Sequence, residues 1–560
     1  MVRRVAVIGA GSSGLASIKC CLDEGLEPIC FESSDDIGGL WRYKEKPEPG
    51  RANIYRSLIC NSSKEIMSYS DFPPPAHFPN NMHHSQLLQY LHLYVEHFVL
   101  LQHIRFQTTV SSVKQGPDFS HSGQWVVETE KKGGGKESDI FDAVMVCTGH
   151  YTQPHLPLNE FPGIDTFAGR YFHSWEYDFA QDLLGKRIVV VGIGNSGGDI
   201  AVDSSRVAEQ VYLSSRRGAW VVSRIGDNGL PSDFLKGARL SMLVQKYLPS
   251  LADRLMAQKI NQHHDHRLYG LLPSHGFFQQ IPVVNDDLPG RIISGRVVMK
   301  PNVREFRGSS VVFEDGSVVE KVDVVVFATG YNYDFPFLPS SIKTQAGYRL
   351  SLYKHIFPPS LERPTLAVIG FIHGLGAIMP LAEMQARWAT RVFAGLQKLP
   401  PEKSMLLDIE KETGKMHQRF VCSKRNPLQV HYIPYMDELA KQVGVKPNFL
   451  GLLLRDPRLG LSVLLGPCTP YQYRLCGPGQ WAGARQAILT QWERVIHPFK
   501  TRTIPEPQLS SRPLLLTVSC AALVFAAIYS QHKNHSVLPD PTGLLNRLCS
   551  LPGMMWRMCH

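Results

Sequence analysis

The sequence predicts an α/β fold of two doubly wound, Rossmann-like domains with a helical insertion and an apolar C-terminal helix. Three observations predict it: a strand–glycine turn–helix–strand pattern that occurs twice, two further apolar strands that each end in Thr-Gly, and an apolar run near the C-terminus. Each copy of the pattern is one β-α-β unit, the element from which parallel sheets covered by helices are built. A chain of 560 residues also exceeds one ordinary core, so more than one packed unit is expected.

The first β-α-β unit begins the chain. Val5–Ile8 is a short apolar strand, the turn Gly9-Ala10-Gly11-Ser12-Ser13-Gly14 follows at once, and the helical run 15–22 leads to a second strand that ends in Glu32. In such a turn the first glycine permits the tight bend, the second lets the backbone approach a pyrophosphate, and the third lets helix and strand pack closely. The helix N-terminus supplies free N–H groups and a positive dipole end. The predicted cofactor-binding residues of this turn are Gly9, Gly11, Ser13 and Gly14.

The second unit repeats the pattern far along the chain. Arg187–Val191 is the strand, Gly192-Ile193-Gly194-Asn195-Ser196-Gly197 is the turn, and 198–204 opens the helix. A second short strand, 211–213, follows. Because a glycine turn between a strand and a helix has the same phosphate-binding geometry each time, this copy predicts a second nucleotide site. Its predicted cofactor-binding residues are Gly192, Gly194, Asn195, Ser196 and Gly197.

The residues after each turn distinguish the two cofactors. Glu32 follows the first turn at about the 20-residue distance where a carboxylate accepts ribose hydroxyls and repels a 2′-phosphate, which suits FAD or NAD. The matching place after the second turn holds Ser215, Arg216 and Arg217, and guanidinium groups bind a 2′-phosphate through charge-assisted contacts. The alternative for the two arginines is a solvated surface pair. The predicted cofactors are therefore FAD and NADPH.

Two other features belong to the predicted sites. Gly38-Gly39-Leu40-Trp41 comes soon after Glu32 and allows a close backbone pass beside a flat ring system, so Gly39, Leu40 and Trp41 are predicted to contact FAD. The apolar strands 143–149 and 324–330 are each expected to close one of the two sheets. The second of them ends in Thr329 and Gly330, which are also predicted to bind a cofactor.

Composition excludes several classes of protein. The chain is 43% hydrophobic and 19% charged, which is typical of a globular protein. Its net charge of +10 suits phosphate-bearing cofactors or an anionic membrane face, and without a Lys/Arg cluster we expect no nucleic acid partner. The 11 cysteines include no CxxC pair, which argues against a disulfide framework, a zinc site and a dithiol reductase. His263–His266 is interpreted as a solvated helix face, and no metal is predicted.

The C-terminus predicts membrane attachment. The run 513–530 is apolar apart from a few hydroxyl side chains, and as a helix it would span about 27 Å. A buried terminal helix is the alternative, but the run lacks a polar stripe. No signal peptide is recognised at the N-terminus. We expect an endoplasmic reticulum membrane anchor with the catalytic domains in the cytosol, followed by a tail, 531–560, that lies in the lumen or along the interface.

A longer pattern carries a resemblance. The segment 167–177 matches FxGxxxHxxxY, with His173 in its interior and Tyr177 at its end, and it precedes the second glycine turn. It resembles the fingerprint of the flavin-containing monooxygenases, and other stretches look similar to segments of that family: 61–65, 285–289, 328–331, 383–388 and 466–471. The resemblance covers residues 1–505 and points to the mammalian microsomal, dimethylaniline-type members, nearest the fifth form. The tail 531–560 departs from the family, whose mammalian members end close after the anchor.

The resemblance implies an NADPH- and O₂-dependent monooxygenase. Such an enzyme oxygenates nucleophilic N or S atoms of small lipophilic molecules, including xenobiotics, through a C4a-hydroperoxyflavin. Asn61 is then the catalytic candidate, an amide that positions the oxygenated flavin or the bound nicotinamide, and Gln385 is added to the cofactor-binding residues. Baeyer–Villiger enzymes place Trp where this chain has Tyr177, which favours heteroatom oxygenation. Ketone oxygenation, an uncoupled NADPH oxidase and an inactive anchored scaffold remain alternatives, and an N-cap role remains one for Asn61.

The sequence leaves open whether the protein forms homo-oligomers.

The sequence predicts a first domain that is discontinuous in the chain. The predicted limits are 1–154 and 331–442 for the FAD domain, 155–330 for the NADPH domain with an insertion at about 214–295, 443–512 for a C-terminal helical region, 513–530 for the anchor and 531–560 for the tail.

Overall fold

Two five-stranded parallel sheets organise the protein. The computed structural model describes residues 3–342, 350–419 and 428–502. The first sheet has the strand order Leu366–Val368, Ala143–Val146, Arg4–Ile8, Glu27–Phe31 and Ile104–Arg105. The second has the order Val297–Lys300, Gln210–Ser214, Arg187–Val191, Val324–Phe327 and Arg170–His173.

The central strands form because their side chains are apolar on both faces. Val5, Val7, Ile188 and Val190 are fully buried, as expected for parallel strands covered by helices on each side. Helix Ser12–Asp23 leaves the first sheet's central strand directly after the glycine turn. The remaining large helices of this layer are His84–His97, Ile378–Phe393, Glu402–Arg419 and Tyr432–Val443.

Both predicted β-α-β units are present, but the expected position of two strands is wrong. Ala143–Val146 and Val324–Phe327 are internal strands and do not close their sheets. Leu366–Val368 and Arg170–His173 pair beyond them in parallel register. These two outer strands are short, so their sequences carry little periodicity, and their positions follow from long-range pairing.

The chain passes between the two sheets at one short antiparallel pair. Gln153–Pro154 pairs with Tyr331–Asn332, with Tyr331 opposite Pro154. The predicted limits at 154 and 331 fall at this pair, and the full set of domain limits stays a prediction.

The predicted insertion contains helices and one short strand pair. Val221–Val222 pairs with Val283–Val284. The helices of the insertion are Ser232–Lys236, Arg239–Tyr247, Pro249–Asn261 and Leu288–Ile293.

The run His263–His266 was expected to be a solvated helix face, but His266 is buried. His266 is fully buried, its Nε2 accepts the N–H of Val221 at 3.0 Å, and its Nδ1 donates to Asn261 Oδ1 at 2.7 Å. Burial lowers the pKa of His266 to about 4, so the ring is a neutral tie inside the insertion. Among the described residues, no group of three His, Cys, Asp or Glu side chains is arranged to hold a metal ion.

Smaller sheets and helices complete the described chain. A hairpin with its tip at 133–135 joins Trp125–Lys131 and Lys136–Phe141. The other strands are Thr108–Gln115, Val303–Arg307, Ser310–Phe313, Val318–Val319, His373–Leu375 and Gln429–His431. The other helices are Lys64–Met67, Phe119–Ser122, Asn195–Ser204, Phe449–Arg455, Pro457–Leu465, Ala484–Leu489 and Gln491–Ile496.

The predicted membrane anchor lies outside the described residues. The run 513–530 and the tail 531–560 both follow residue 502, where the described part of the chain ends. Within the described ranges, every helix is either too short or too polar to cross a bilayer.

Buried ion pairs hold the C-terminal helices against the first sheet's helical layer. Arg494 donates to both carboxylate oxygens of Glu65 at 2.9 and 2.7 Å, and Tyr471 donates to the same carboxylate at 2.9 Å. Glu65 is fully buried. Removing one partner of such a pair leaves a buried charge uncompensated, which costs more than the pair itself contributes.

We therefore expect Arg494→Leu to lower the free energy of unfolding by about 3–5 kcal/mol. Guanidinium denaturation of the purified protein measures it. Arg3→Leu is the matched control, because Arg3 and Glu27 form an ion pair whose side chains are 79% and 58% exposed, and such pairs stabilise little. Equal unfolding midpoints for the two variants would contradict the expectation.

Candidate functional site: two glycine turns and the segment that joins them

The first glycine turn depends on the absence of side chains. Gly9 has a φ of +99°, and a Cβ there would lie 2.9 Å from the carbonyl oxygen of Cys147. A Cβ on Gly14 would lie 1.8 Å from the carbonyl oxygen of Gly9. Neither position accepts another residue without moving the backbone, so the helix is held tightly against the strand.

The backbone beside this turn forms a cradle. A Cβ on Gly39 would lie 3.0 Å from Gly11 Cα, so two chain segments approach one another at their glycines. Helix Ser12–Asp23 has no side-chain cap at its N-terminus, and its first N–H groups are therefore available to an anion. Leu40 and Trp41 are half-buried beside the cradle. These features fit a pyrophosphate of FAD.

Glu32 is fixed next to the same turn. Its Oε2 accepts the N–H of Ala10 at 2.8 Å, and its Oε1 accepts the N–H and hydroxyl of Ser34 at 2.8 and 2.7 Å. Arg51 Nη1 lies 3.3 Å from Oε1. The carboxylate is only 4% exposed, and Oε2 keeps a lone pair for a ribose hydroxyl. Ser34 and Arg51 belong to no sequence motif, so their contacts with Glu32 could not be predicted from the sequence.

The second glycine turn repeats the geometry of the first. Gly192 has a φ of +107°, and a Cβ on Gly197 would lie 2.0 Å from the carbonyl oxygen of Gly192. A Cβ on Gly194 would meet nothing within 4 Å, so this glycine faces open space. Helix Asn195–Ser204 again has no side-chain cap. The arrangement fits a second pyrophosphate, as NADPH requires.

The predicted polar residues of the second turn have separate positions. Asn195 Oδ1 accepts the N–H of Val284 at 2.8 Å, which ties the insertion to the turn, and Ser196 is half-buried. Ser215 Oγ accepts the N–H of Gly218 at 2.9 Å. The remaining two, Arg216 and Arg217, are exposed at the strand end, and neither forms an ion pair with another described residue.

His173 of the 167–177 segment is a structural residue. Its Nδ1 accepts the N–H of Trp175 at 3.0 Å, and its Nε2 donates to the carbonyl of Gly330 at 2.9 Å. Because the ring is buried with both nitrogens bonded, it is not available as a base. Tyr177 donates to Asp203 at 2.7 Å on helix Asn195–Ser204.

A strap, residues 43–57, joins the two halves of the site. Trp175 Nε1 donates to the carbonyl of Arg51 at 2.8 Å, and Asn53 Nδ2 donates to the carbonyl of Trp175 at 2.8 Å. Tyr55 donates to Asp199 on helix Asn195–Ser204, where burial raises the pKa of the Asp199 carboxyl. Since Arg51 also reaches Glu32, the 167–177 segment is connected to the first cofactor site through the strap.

Asn61 belongs to the same part of the chain as the first glycine turn, and its side chain is bonded to the insertion. Its Oδ1 accepts a hydrogen bond from Arg224 Nη2 at 2.7 Å, and Arg224 is paired with Asp286 at 2.8 Å. The N-cap of helix Lys64–Met67 is Ser63. The alternative role for Asn61, an N-cap, is therefore not what this fold uses.

Three further predicted residues, Thr329, Gly330 and Gln385, support the backbone around the site. Thr329 donates to the carbonyl of His155 at 2.5 Å, beside the antiparallel pair, and Gly330 accepts from His173. Gln385 is fully buried: its Oε1 accepts the N–H of Gly370 at 2.8 Å, and its Nε2 donates to Tyr435 at 2.8 Å. Both ends of this amide are bonded to protein, which gives Gln385 a supporting position beneath the Gly370 loop.

Comparison with known proteins places these features in one family. The family model described as flavin-binding monooxygenase-like matches residues 2–533. Flavin-containing monooxygenase 5 of Rattus norvegicus is 53% identical over 527 residues, which cover 94% of this chain and 98% of the relative. Dimethylaniline monooxygenase (N-oxide-forming) 2 of Mus musculus is 51% identical over 532 residues, covering 95% and 99%.

Solved structures agree with the fold. S-allyl-L-cysteine S-oxygenase from Allium sativum superposes with a TM-score of 0.61 at 27% identity, covering 81% of this chain and 92% of its own. Cyclohexanone monooxygenase from Rhodococcus sp. Phi1, bound to NADP+, has a TM-score of 0.57 at 18% identity, covering 79% and 98%, and shows the fold alone. The predicted resemblance, enzyme class and cofactors are confirmed. The chain belongs to the flavin-binding monooxygenase-like family, whose members are flavoprotein monooxygenases that use FAD and NADPH.

Proposed function

We propose that this protein uses NADPH and O₂ to oxygenate nucleophilic N or S atoms of small lipophilic molecules, including xenobiotics. The observation that carries the proposal is the pair of glycine turns, one beside a buried carboxylate and the other before two exposed arginines, joined by the strap. The names of two relatives, an N-oxide-forming monooxygenase and an S-oxygenase, support this substrate class.

Each cofactor has its own set of residues in the proposal. Gly11 and Gly39 hold the FAD pyrophosphate against the uncapped helix, and Glu32 orients the ribose. Arg216 and Arg217 bind the 2′-phosphate of NADPH at the second turn. When bound, the two cofactors would supply the hydride transfer and the activation of O₂. The protein orients them and excludes water, which requires no acid–base pair of side chains.

Asn61 is the residue we propose to act at the reacting end of the flavin. Arg224 fixes its Oδ1, and because an amide held at one end is oriented at the other, Nδ2 has a defined direction. Within the described residues this Nδ2 has no hydrogen-bond partner, which leaves a donor for a developing negative charge.

Product analysis tests the reaction itself. The purified full chain is incubated with NADPH, O₂ and either a tertiary amine, a thioether or a ketone. Amine or thioether oxide at close to one product per NADPH supports the proposal. If only the ketone is converted, to an ester or lactone, the enzyme is a Baeyer–Villiger oxygenase instead. If hydrogen peroxide is the sole product, the protein is an NADPH oxidase. If the purified protein contains no flavin, it is an inactive scaffold.

We also propose that residues 513–530 anchor the protein in the endoplasmic reticulum membrane with the catalytic domains in the cytosol. The support is the apolar sequence alone. The tail 531–560 follows this run, and it lies in the lumen if the anchor spans the bilayer or along the interface if it does not.

The first prediction concerns nicotinamide selectivity. Arg216→Ala combined with Arg217→Ala should weaken NADPH relative to NADH by about 10- to 150-fold, because charge-assisted contacts to the 2′-phosphate are lost. Steady-state kinetics with both nucleotides measure it. Arg304→Ala combined with Arg307→Ala is the matched control, because both arginines pair with Glu305 in a strand of the same half of the protein. An unchanged preference in the first variant would show that its arginines are a solvated surface pair.

The second prediction concerns Asn61. Asn61→Ala should leave anaerobic flavin reduction by NADPH almost unchanged, while oxygenated product per NADPH falls by about 10-fold or more and peroxide rises, since a positioned donor is lost. Stopped-flow reduction and a peroxide assay measure the two quantities. Asn302→Ala is the control, because Asn302 pairs with Glu314 at an exposed position. Slow reduction with normal coupling would contradict the proposed role.

The third prediction concerns the anchor. A chain truncated after Arg512 should be released from membranes as an active, flavin-bound enzyme, because the apolar run is removed. Fractionation after a high-salt wash measures release, and the full chain is the control. Truncated protein that stays in the membrane pellet would place attachment elsewhere. Protease protection of a tag after His560 distinguishes a luminal tail from a cytosolic one.

A further inference from the structure

His150 is a buried imidazole without hydrogen-bond partners among the described residues. It is 5% exposed, and neither Nδ1 nor Nε2 has a hydrogen-bond partner among the described residues. Burying an unsatisfied polar group costs free energy, and most buried polar groups in native folds are bonded. A ring with both nitrogens unpaired therefore indicates a partner that the protein chain does not supply.

The position of this ring lies beside the first glycine turn. His150 follows strand Ala143–Val146, the parallel neighbour of strand Arg4–Ile8. The same segment carries Cys147, whose carbonyl oxygen would lie 2.9 Å from a Cβ on Gly9. In doubly wound sheets, ligands bind outside the carboxyl ends of the strands, which is where this segment lies.

The segment that follows the outer strand Leu366–Val368 also packs against the His150 ring. After Leu366–Val368 the chain reaches Gly370, where a Cβ would lie 2.3 Å from Ser13 Oγ in the glycine turn. The His150 ring packs 5.6 Å from Phe371 and 4.8 Å from His373, measured between ring centroids. The imidazole is thus enclosed by the two segments that flank the turn.

The surroundings keep this ring neutral. Burial and the neighbouring His373 hold the pKa of His150 well below its ordinary value, and burial lowers the pKa of His373 to about 4. The remaining ring neighbours are Tyr151 at 4.3 Å and Tyr333 at 5.4 Å. A neutral imidazole has one N–H donor and one acceptor, so it can donate to an oxygen without bringing a charge.

We infer that His150 is a cofactor-binding residue, whose ring N–H donates to an oxygen of the FAD held at the first glycine turn. The inference rests on the proposed assignment of FAD to that turn. It adds a donor from the segment that follows strand Ala143–Val146, which carries no recognised motif. If ring packing were the only role of this position, phenylalanine would serve equally well. Ring packing therefore does not explain why the side chain carries two buried nitrogens.

The experiment compares FAD affinity in full-length variants. His150→Phe keeps the ring packing and removes both nitrogens, and its Kd for FAD should rise about 2- to 12-fold, the range for one hydrogen bond. Release of flavin fluorescence on dilution measures the Kd, and the rise in unfolding temperature on adding FAD should shrink in parallel. His150→Gln, which restores a donor, should recover most of the affinity.

Tyr94→Phe is the matched control. The Tyr94 hydroxyl is also buried without a partner, on helix His84–His97 and away from the strand ends, so its removal should leave the Kd for FAD unchanged. If His150→Phe binds FAD as tightly as the wild type, the inference is wrong. If that variant does not accumulate, His150→Leu is measured by the same criterion. A wild-type protein that contains no flavin would instead overturn the assignment of the turn itself.

Discussion

The constraint on which the structure depends is the contact of each first helix with its first strand. A Cβ on Gly14 would lie 1.8 Å from the carbonyl oxygen of Gly9, and one on Gly197 would lie 2.0 Å from that of Gly192. Only hydrogen fits at either place. Because the helix is held this close, its free N–H groups point past the strand end, and each sheet presents a phosphate site at its carboxyl edge.

Bonds between the two halves decide how those edges face one another. The strap is bonded to the second half through Trp175 and Asp199, and it reaches Glu32 through Arg51. Asn61 is bonded to Arg224 of the insertion. A rotation of one sheet relative to the other would break these bonds and separate Arg51 from the Glu32 carboxylate. The 167–177 segment is therefore connected to the residues beside the first glycine turn, although it precedes the second turn in the chain.

Local signals made part of this predictable. Apolar strands and the identical spacing of the two glycine turns predict the β-α-β units, which the structure contains. The charge after each turn predicts the cofactor that the turn binds, and this assignment stays a prediction. Contacts between distant residues have no such signal. His266 looked solvated because its neighbours in sequence are polar, yet it is buried, and its Nε2 accepts the N–H of Val221, a residue 45 positions away. The amide of Gln385 is used by Gly370 and Tyr435, and His150 is a lone histidine after a glycine, which no spacing distinguishes.

The C-terminal helices pack against the helix of the first glycine turn and precede the proposed anchor. Arg474 is 2% exposed and pairs with Glu383 and Asp71, and Asp71 also binds Lys19 on the helix that leaves the first glycine turn. Because these charges are buried together, the C-terminal region is part of the same core. Residues 503–512 separate it from the apolar run and reach at most about 35 Å when extended. An anchor at 513–530 would therefore lie within about 35 Å of residue 502, where the described part of this core ends.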